Sequence, residues 1–172
     1  MMCFIMLAEA PQGPERPGRM GKLAIVRHGK DDPETEVLTP EGRQGVLSLG
    51  ERLADIAGQN QVNLILTSTA PRALQTAELL AEQLGGAAVV GEERLWRDNT
   101  HPRAGSYELI GLIQDAGERA DFVVLVTHLP NVVELPDALR GVHPYIKHYD
   151  GERPGNAQGL LIDFATGSIS RI

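Results

Sequence analysis

The sequence predicts an α/β fold, a three-layer α/β/α sandwich around a mainly parallel sheet with an antiparallel C-terminal edge. Three observations carry this. The short apolar runs Leu23–Val26, Val62–Thr67 and Phe122–Val126 are rich in β-branched residues and show no polar alternation, the pattern of strands buried on both faces. Between them lie segments with one apolar stripe at helical spacing, two of them opened by proline and closed by glycine. Strands alternating with helices imply parallel pairing with helices on both faces of the sheet.

In chain order, Met1–Ala8 is apolar, lacks a basic leader region and is too short to span a bilayer. Pro11–Arg19 is rich in Pro, Gly and charge. Residues 1–19 are therefore read as a flexible tail and 20–172 as a single domain. After the first strand, Lys30–Leu38 is a polar loop with two adjacent aspartates and Pro33. Thr39 as N-cap and Pro40 at the first helical position then start a helix with Val46, Leu49, Leu53 and Ile56 on its apolar face, ending at Gly58. The second strand ends in Ser68-Thr69, where Thr67 or Ser68 is expected to cap the next helix rather than bind a ligand. Pro71 opens that helix, Leu74, Leu79, Leu80 and Leu84 help pack it, and Gly85-Gly86 ends it.

Ala87–Val90 is a short strand, followed by a strongly charged loop, 91–105, with Trp96 packed beneath it and Tyr107 just past it expected to pack likewise. Ser106–Ala116 reads as a helix. The strand Phe122–Val126 ends at Thr127-His128, and Asn131–Leu139 as a short helix kinked by Pro136. A hairpin around Thr166-Gly167, with strands near 159–164 and 169–172, closes the chain.

At 172 residues and 42% hydrophobic, the chain is sized for one core. A formal net charge of -7 argues against general binding to nucleic acid or anionic membranes, which need a basic surface. The lone Cys3 allows no disulfide framework within one chain, and a cytoplasmic protein is expected. His101, His143 and His148 have no metal-ligand spacing and read as surface or substrate-loop residues.

The polar residues cluster in one kind of place. Arg27-His28-Gly29, Ser68–Arg72 and Thr127-His128 all lie just past the carboxyl ends of buried strands, where ligands bind in parallel sheets. If the strands are neighbours, two histidines and two arginines converge. Two arginines can clamp a phosphoryl group, a neutral imidazole can take it covalently, and a protonated second histidine can balance charge developing on its oxygens. A carboxylic acid can protonate the leaving oxygen and then activate water. This chemistry requires no cofactor.

Leu23–Gly29, Leu38-Thr39-Pro40-Glu41-Gly42, Ser68-Thr69-Ala70-Pro71-Arg72-Ala73-Leu74-Gln75-Thr76-Ala77 and Val126-Thr127-His128-Leu129-Pro130 resemble, in order, the motifs of the histidine phosphatase (phosphoglycerate-mutase-like) superfamily. The compact form and the His-x-Pro after the last parallel strand are most similar to short SixA-type phosphohistidine phosphatases. The resemblance implies a phosphoglycerate-mutase-like fold, His28 as phosphoryl acceptor, Arg27 and Arg72 as phosphate clamps, His128 as the second pocket histidine and Gly29 beside the substrate. Where mutase-like branches carry a glutamate after a Leu-x pair, this chain has Leu95-Trp96-Arg97-Asp98. Asp98 is the first choice for acid/base, then Glu93, then Glu92, or none.

The expected function is metal-independent hydrolysis through a phosphohistidine on His28, acting on a phosphohistidine protein or a small phosphate monoester. A phosphate-binding regulatory module without turnover is the alternative from another class, and a phosphomutase is a weaker one. The sequence assigns no cofactor, no partner beyond the phosphorylated substrate and no oligomeric state.

Overall fold

A computed structural model describes residues 18–97 and 104–172. Asp98, His101 and the tail up to residue 17 lie outside the described residues. The elements are β1 (Lys22–Arg27), α1 (Pro40–Ala57), β2 (Leu64–Thr67), α2 (Pro71–Gln83), β3 (Ala88–Gly91), a 3-10 turn (Glu93–Leu95), α3 (Ser106–Gly117), β4 (Phe122–Thr127), α4 (Leu129–Val142), β5 (Gly159–Asp163) and β6 (Ser168–Arg171).

They form one six-stranded sheet in the order β3-β2-β4-β1-β5-β6. β3, β2, β4 and β1 are parallel, and β5 and β6 add an antiparallel edge. Side chains alternate across a strand, so each buried strand feeds two cores. Leu23 and Ile25 of β1 join Leu66, Leu125, Ile113, Leu135 and Phe164 on the side covered by α3 and α4. Ala24 and Val26 join Ile65, Val124, Leu49, Leu53 and Leu80 on the side covered by α1 and α2. The three-layer sandwich follows from that sorting.

Local signals explain most boundaries. Thr39 Oγ1 accepts from the Gly42 amide at 3.0 Å, Pro40 opens α1, and Gly58 ends it at φ 56. Gly167 turns the last hairpin at φ 66.

Four expectations need correction. α4 begins at Leu129, earlier than expected, and continues through Pro136 to Val142. Pro136 has no amide to give the helix, and the buried Val132, Leu135 and Leu139 on either side of it hold that segment in the core. No side chain caps α2, because Thr67 Oγ1 donates to the Ser68 carbonyl and Ser68 Oγ engages His128 and the Ala70 amide. His143 is buried and packs edgewise against Tyr145 and Phe164. Tyr107 is 86% exposed at the start of α3, which turns Leu109, Ile110, Leu112 and Ile113 inward instead. Trp96, by contrast, is partly buried against the α1/α2 side of the core.

Among the described residues, no helix is long and apolar enough to cross a membrane.

Candidate active site

Strand register builds the site. Arg27 of β1 pairs with Thr127 of β4, and Thr67 of β2 pairs with Val126, so three adjacent parallel strands end at nearly one level. The residues that follow, His28, His128 and Ser68, therefore meet at a common rim. The ladder runs one step further, with the His28 amide donating to the Thr127 carbonyl at 3.1 Å and the Ser68 amide to Val126 at 2.9 Å. The His28 and His128 rings sit edge to face with centroids 5.2 Å apart.

His28 is buried and its orientation is set locally. Nδ1 lies 2.8 Å from the Gly29 carbonyl, which can only accept, so Nδ1 carries the proton in that bond. Nε2 then keeps its lone pair in the neutral ring, and none of the described residues hydrogen-bonds it. Burial pushes the imidazole below its ordinary range, and the Gly29 carbonyl opposes this. The Arg72 and Arg27 cations push it lower as well, while Asp31, with Oδ1 3.6 Å from Nδ1, pulls the other way. The net result is a histidine held neutral and aimed, the state in which an imidazole is a nucleophile.

Two glycines let the surrounding chain close on it. A Cβ at Gly29 would meet Val46 Cγ2 at 2.8 Å, and one at Gly42 would meet the Lys30 carbonyl oxygen at 1.9 Å. The first turn of α1 thus lies directly on the loop leaving His28. The Gly29 amide donates to Thr76 Oγ1 at 3.0 Å, and that hydroxyl donates to the Arg72 carbonyl at 2.7 Å. This chain of bonds ties the loop after His28 to the first turns of α2.

The two arginines differ. Arg27 Nε is buried with no hydrogen-bond partner among the described residues, which leaves this donor for water or a ligand to meet. Arg72 donates to Glu36 Oε1 at 2.5 Å, and its Nε lies 3.9 Å from Asp31 Oδ2. The uncapped N-terminus of α2, where Arg72 sits, adds the positive end of a helix dipole to the same rim.

His128 Nε2 lies 2.9 Å from Ser68 Oγ, which joins the ends of β2 and β4. Behind it, Thr127 Oγ1 and Asn131 Nδ2 both donate to the Leu95 carbonyl, at 2.9 and 3.3 Å. Arg97 reaches Asn131 Oδ1 and forms a two-pronged ion pair with Glu134. The chain that leads into Asp98 is thereby anchored on α4. Of the other acid/base candidates, Glu93 is exposed and Glu92 is paired with Arg94 at 2.9 Å.

His28, Arg27, Arg72, His128 and Gly29 are thus brought to one rim, and Asp98 lies outside the described residues. The sequence reading passed over Asp31, Glu36, Thr76 and Asn131. Thr76 lies one helical turn beyond Arg72 on α2, where an i to i+4 reading finds it, whereas Asn131 lies in the first turn of α4 and only the fold brings it onto the Leu95 carbonyl. Asp31 and Glu36 belong to an irregular loop in which no periodicity marks a direction. Among the described residues, no group of three or more His, Cys, Asp or Glu could hold a metal ion.

Residues 23–97 match the family model of the histidine phosphatase superfamily (branch 1). No curated protein matches the chain by sequence. Solved structures similar to it include the protein histidine phosphatase SixA complexed with tungstate, at 19% identity and TM-score 0.62 over 88% of this chain and 94% of that one. A SixA protein from Agrobacterium tumefaciens aligns at 22% identity and TM-score 0.58, covering 84% of this chain and 92% of that one. A mycobacterial glucosyl-3-phosphoglycerate phosphatase aligns at 20% identity and TM-score 0.59, over 87% and 96%. The fold is phosphoglycerate-mutase-like, and the family model spans the first three of the four motifs.

Proposed function

We propose that this chain, which matches the histidine phosphatase superfamily model over residues 23–97, is a phosphatase that works through a phosphohistidine on His28, without a metal. His28 Nε2 attacks phosphorus, an N–P bond forms, and the bond from phosphorus to the leaving group breaks with a proton going to the leaving atom. Water then attacks phosphorus, the N–P bond breaks, and inorganic phosphate leaves with His28 neutral again. Arg27 and Arg72 hold the phosphoryl oxygens, and His128 balances the charge that develops on them. The acid/base is proposed to be Asp98, with Glu93 and then Glu92 as the next choices.

The observation that carries this reading is the His28 ring, tied through Nδ1 to the Gly29 carbonyl and lying beside Arg27, whose Nε is buried without a partner. A neutral, oriented nucleophile next to an unmet cationic donor suits an anionic electrophile. Tungstate bound by a structural neighbour is an oxyanion of the right kind. The neighbours act, by their names, on a phosphorylated protein histidine and on a small phosphorylated sugar acid. Both substrate types therefore stay within the proposal.

The test is trapping. Brief mixing with an aryl phosphate, then mass spectrometry under alkaline conditions, is expected to find acid-labile phosphate on His28. His28→Ala should neither hydrolyse the ester nor become labelled. Turnover by that variant at the parent rate would overturn the mechanism. Phosphate binding without label or turnover in the parent protein would move the reading to a regulatory module. Asp98→Asn should slow substrates with poor leaving groups more than activated ones.

A further inference from the structure

Arg72 already has an anion. Its side chain is only 12% exposed, and it donates to Glu36 Oε1 at 2.5 Å. Glu36 is brought there by a purpose-shaped turn. Asp32 Oδ1 accepts from the amides of Glu34 and Thr35 and from Thr35 Oγ1, and the Glu36 amide donates to the Asp32 carbonyl at 2.8 Å. The turn leaves Glu36 at φ 55, in the left-handed region that a residue with a Cβ seldom enters. Its side chain is 37% exposed, so the carboxylate has water within reach if it lets go.

We propose that Glu36 is a specificity-determining residue, an internal carboxylate that competes with the substrate's phosphoryl group for Arg72. The proposal rests on the reading of Arg72 as a phosphate clamp. A carboxylate and a phosphoryl group both offer paired oxygens to the guanidinium fork, and the same N–H cannot serve both. A terminal phosphoryl dianion carries twice the charge of Glu36 and displaces it into water. Monoanions such as carboxylates and phosphodiesters gain too little at Arg72 to do so. The displaced carboxylate stays tethered beside Arg72 by the Asp32 turn, and its return assists the departure of product phosphate. Glu36 thus weakens substrate and product alike, which selects for dianionic phosphoryl groups and keeps the product from lingering.

The experiment uses inorganic phosphate as the probe, by calorimetry at pH 7.5 and as a competitive inhibitor of aryl phosphate hydrolysis. Glu36→Gln is expected to bind phosphate about fivefold more tightly, the scale of one partly exposed ion pair no longer lost on binding. KM should fall by a similar factor with no rise in kcat, as for binding shared by ground and transition states. Glu36→Gly, for which the left-handed backbone is unstrained, should behave alike. Equal or weaker phosphate binding by both variants, with the parent protein binding and turning over normally, would overturn the proposal and make Glu36 a support for Arg72. A folded parent protein that neither binds phosphate nor hydrolyses the ester would overturn the phosphatase reading itself, and this one with it.

Discussion

Ser68 Oγ lies 2.9 Å from His128 Nε2, a bond between the first residue past β2 and the first residue past β4. Both residues are buried, so His128 cannot exchange this partner for water without moving. The bond fixes the His128 ring plane and, through the edge-to-face contact, the space available to His28. We predict that Ser68→Ala lowers kcat about tenfold on an aryl phosphate while KM changes less, because the loss falls on orientation in the transition state. Unchanged kcat would show that contacts other than Ser68 orient His128.

The lowered pKa of His28 sets a pH dependence. Its folded-state value lies below the unfolded value of 6.5, so between the two the unfolded chain binds more protons. Stability from this group is fully present above pH 6.5 and is lost as pH falls toward the folded value. Melting temperatures of the parent protein and His28→Asn, compared from pH 7.5 to pH 5, should show the parent falling more steeply through that window. Parallel curves would sink the claim that burial holds this ring neutral. For activity, the acid limb of kcat/KM is expected below pH 6.5.

Gly42 is required by a close approach rather than by its backbone angles. A Cβ there would lie 1.9 Å from the Lys30 oxygen and 2.8 Å from its carbonyl carbon, so backbone must shift. We predict that Gly42→Ala destabilises the fold by about 1–3 kcal/mol and depresses activity by moving the loop after His28. Gly111, inside α3 with nothing within 4 Å of its would-be Cβ, is the control. Its change to Ala should stabilise by about 0.5–1 kcal/mol and leave activity alone. Urea melts of both variants decide it, and a neutral Gly42→Ala would contradict the geometry.

Asn131 bonds Leu95, Thr127 and Arg97 from within the first turns of α4. Asn131→Ala is expected to lose about 1–3 kcal/mol of stability, the usual range for stranding buried polar groups. It should also reduce turnover, since the segment leading to Asp98 loses one anchor. Normal turnover in a destabilised variant would confine Asn131 to a structural role.

Much of this is legible in the sequence. The unbroken apolar runs ending at His28 and His128 could only be strands buried on both faces, because such runs leave no side for water. Thr39-Pro40 and Pro71 marked helix starts by removing or capping amides that a first turn cannot use. Four motifs in order located the histidines and arginines of the rim. α4 starts two residues earlier and ends three residues later than expected because the ends of an element carry weaker local signals than its apolar middle. Tyr107 misled because an aromatic beside a charged loop says nothing of which way its helix is turned.

By itself the sequence determined the alternation of strands and helices and marked His28, with the cations Arg27 and Arg72, as the residues past the strand ends, since these depend on residue type and short-range spacing. Only the tertiary structure decided which of those groups are occupied. That Arg72 is engaged by Glu36 while Arg27 Nε stays unmet, and that His128 leans on Ser68, depends on strand register and on the path of an irregular loop. Such contacts join residues far apart in the chain across distances of a few ångströms. No periodicity encodes them, because they exist only once the β2–β4–β1 order has brought three strand ends to one level.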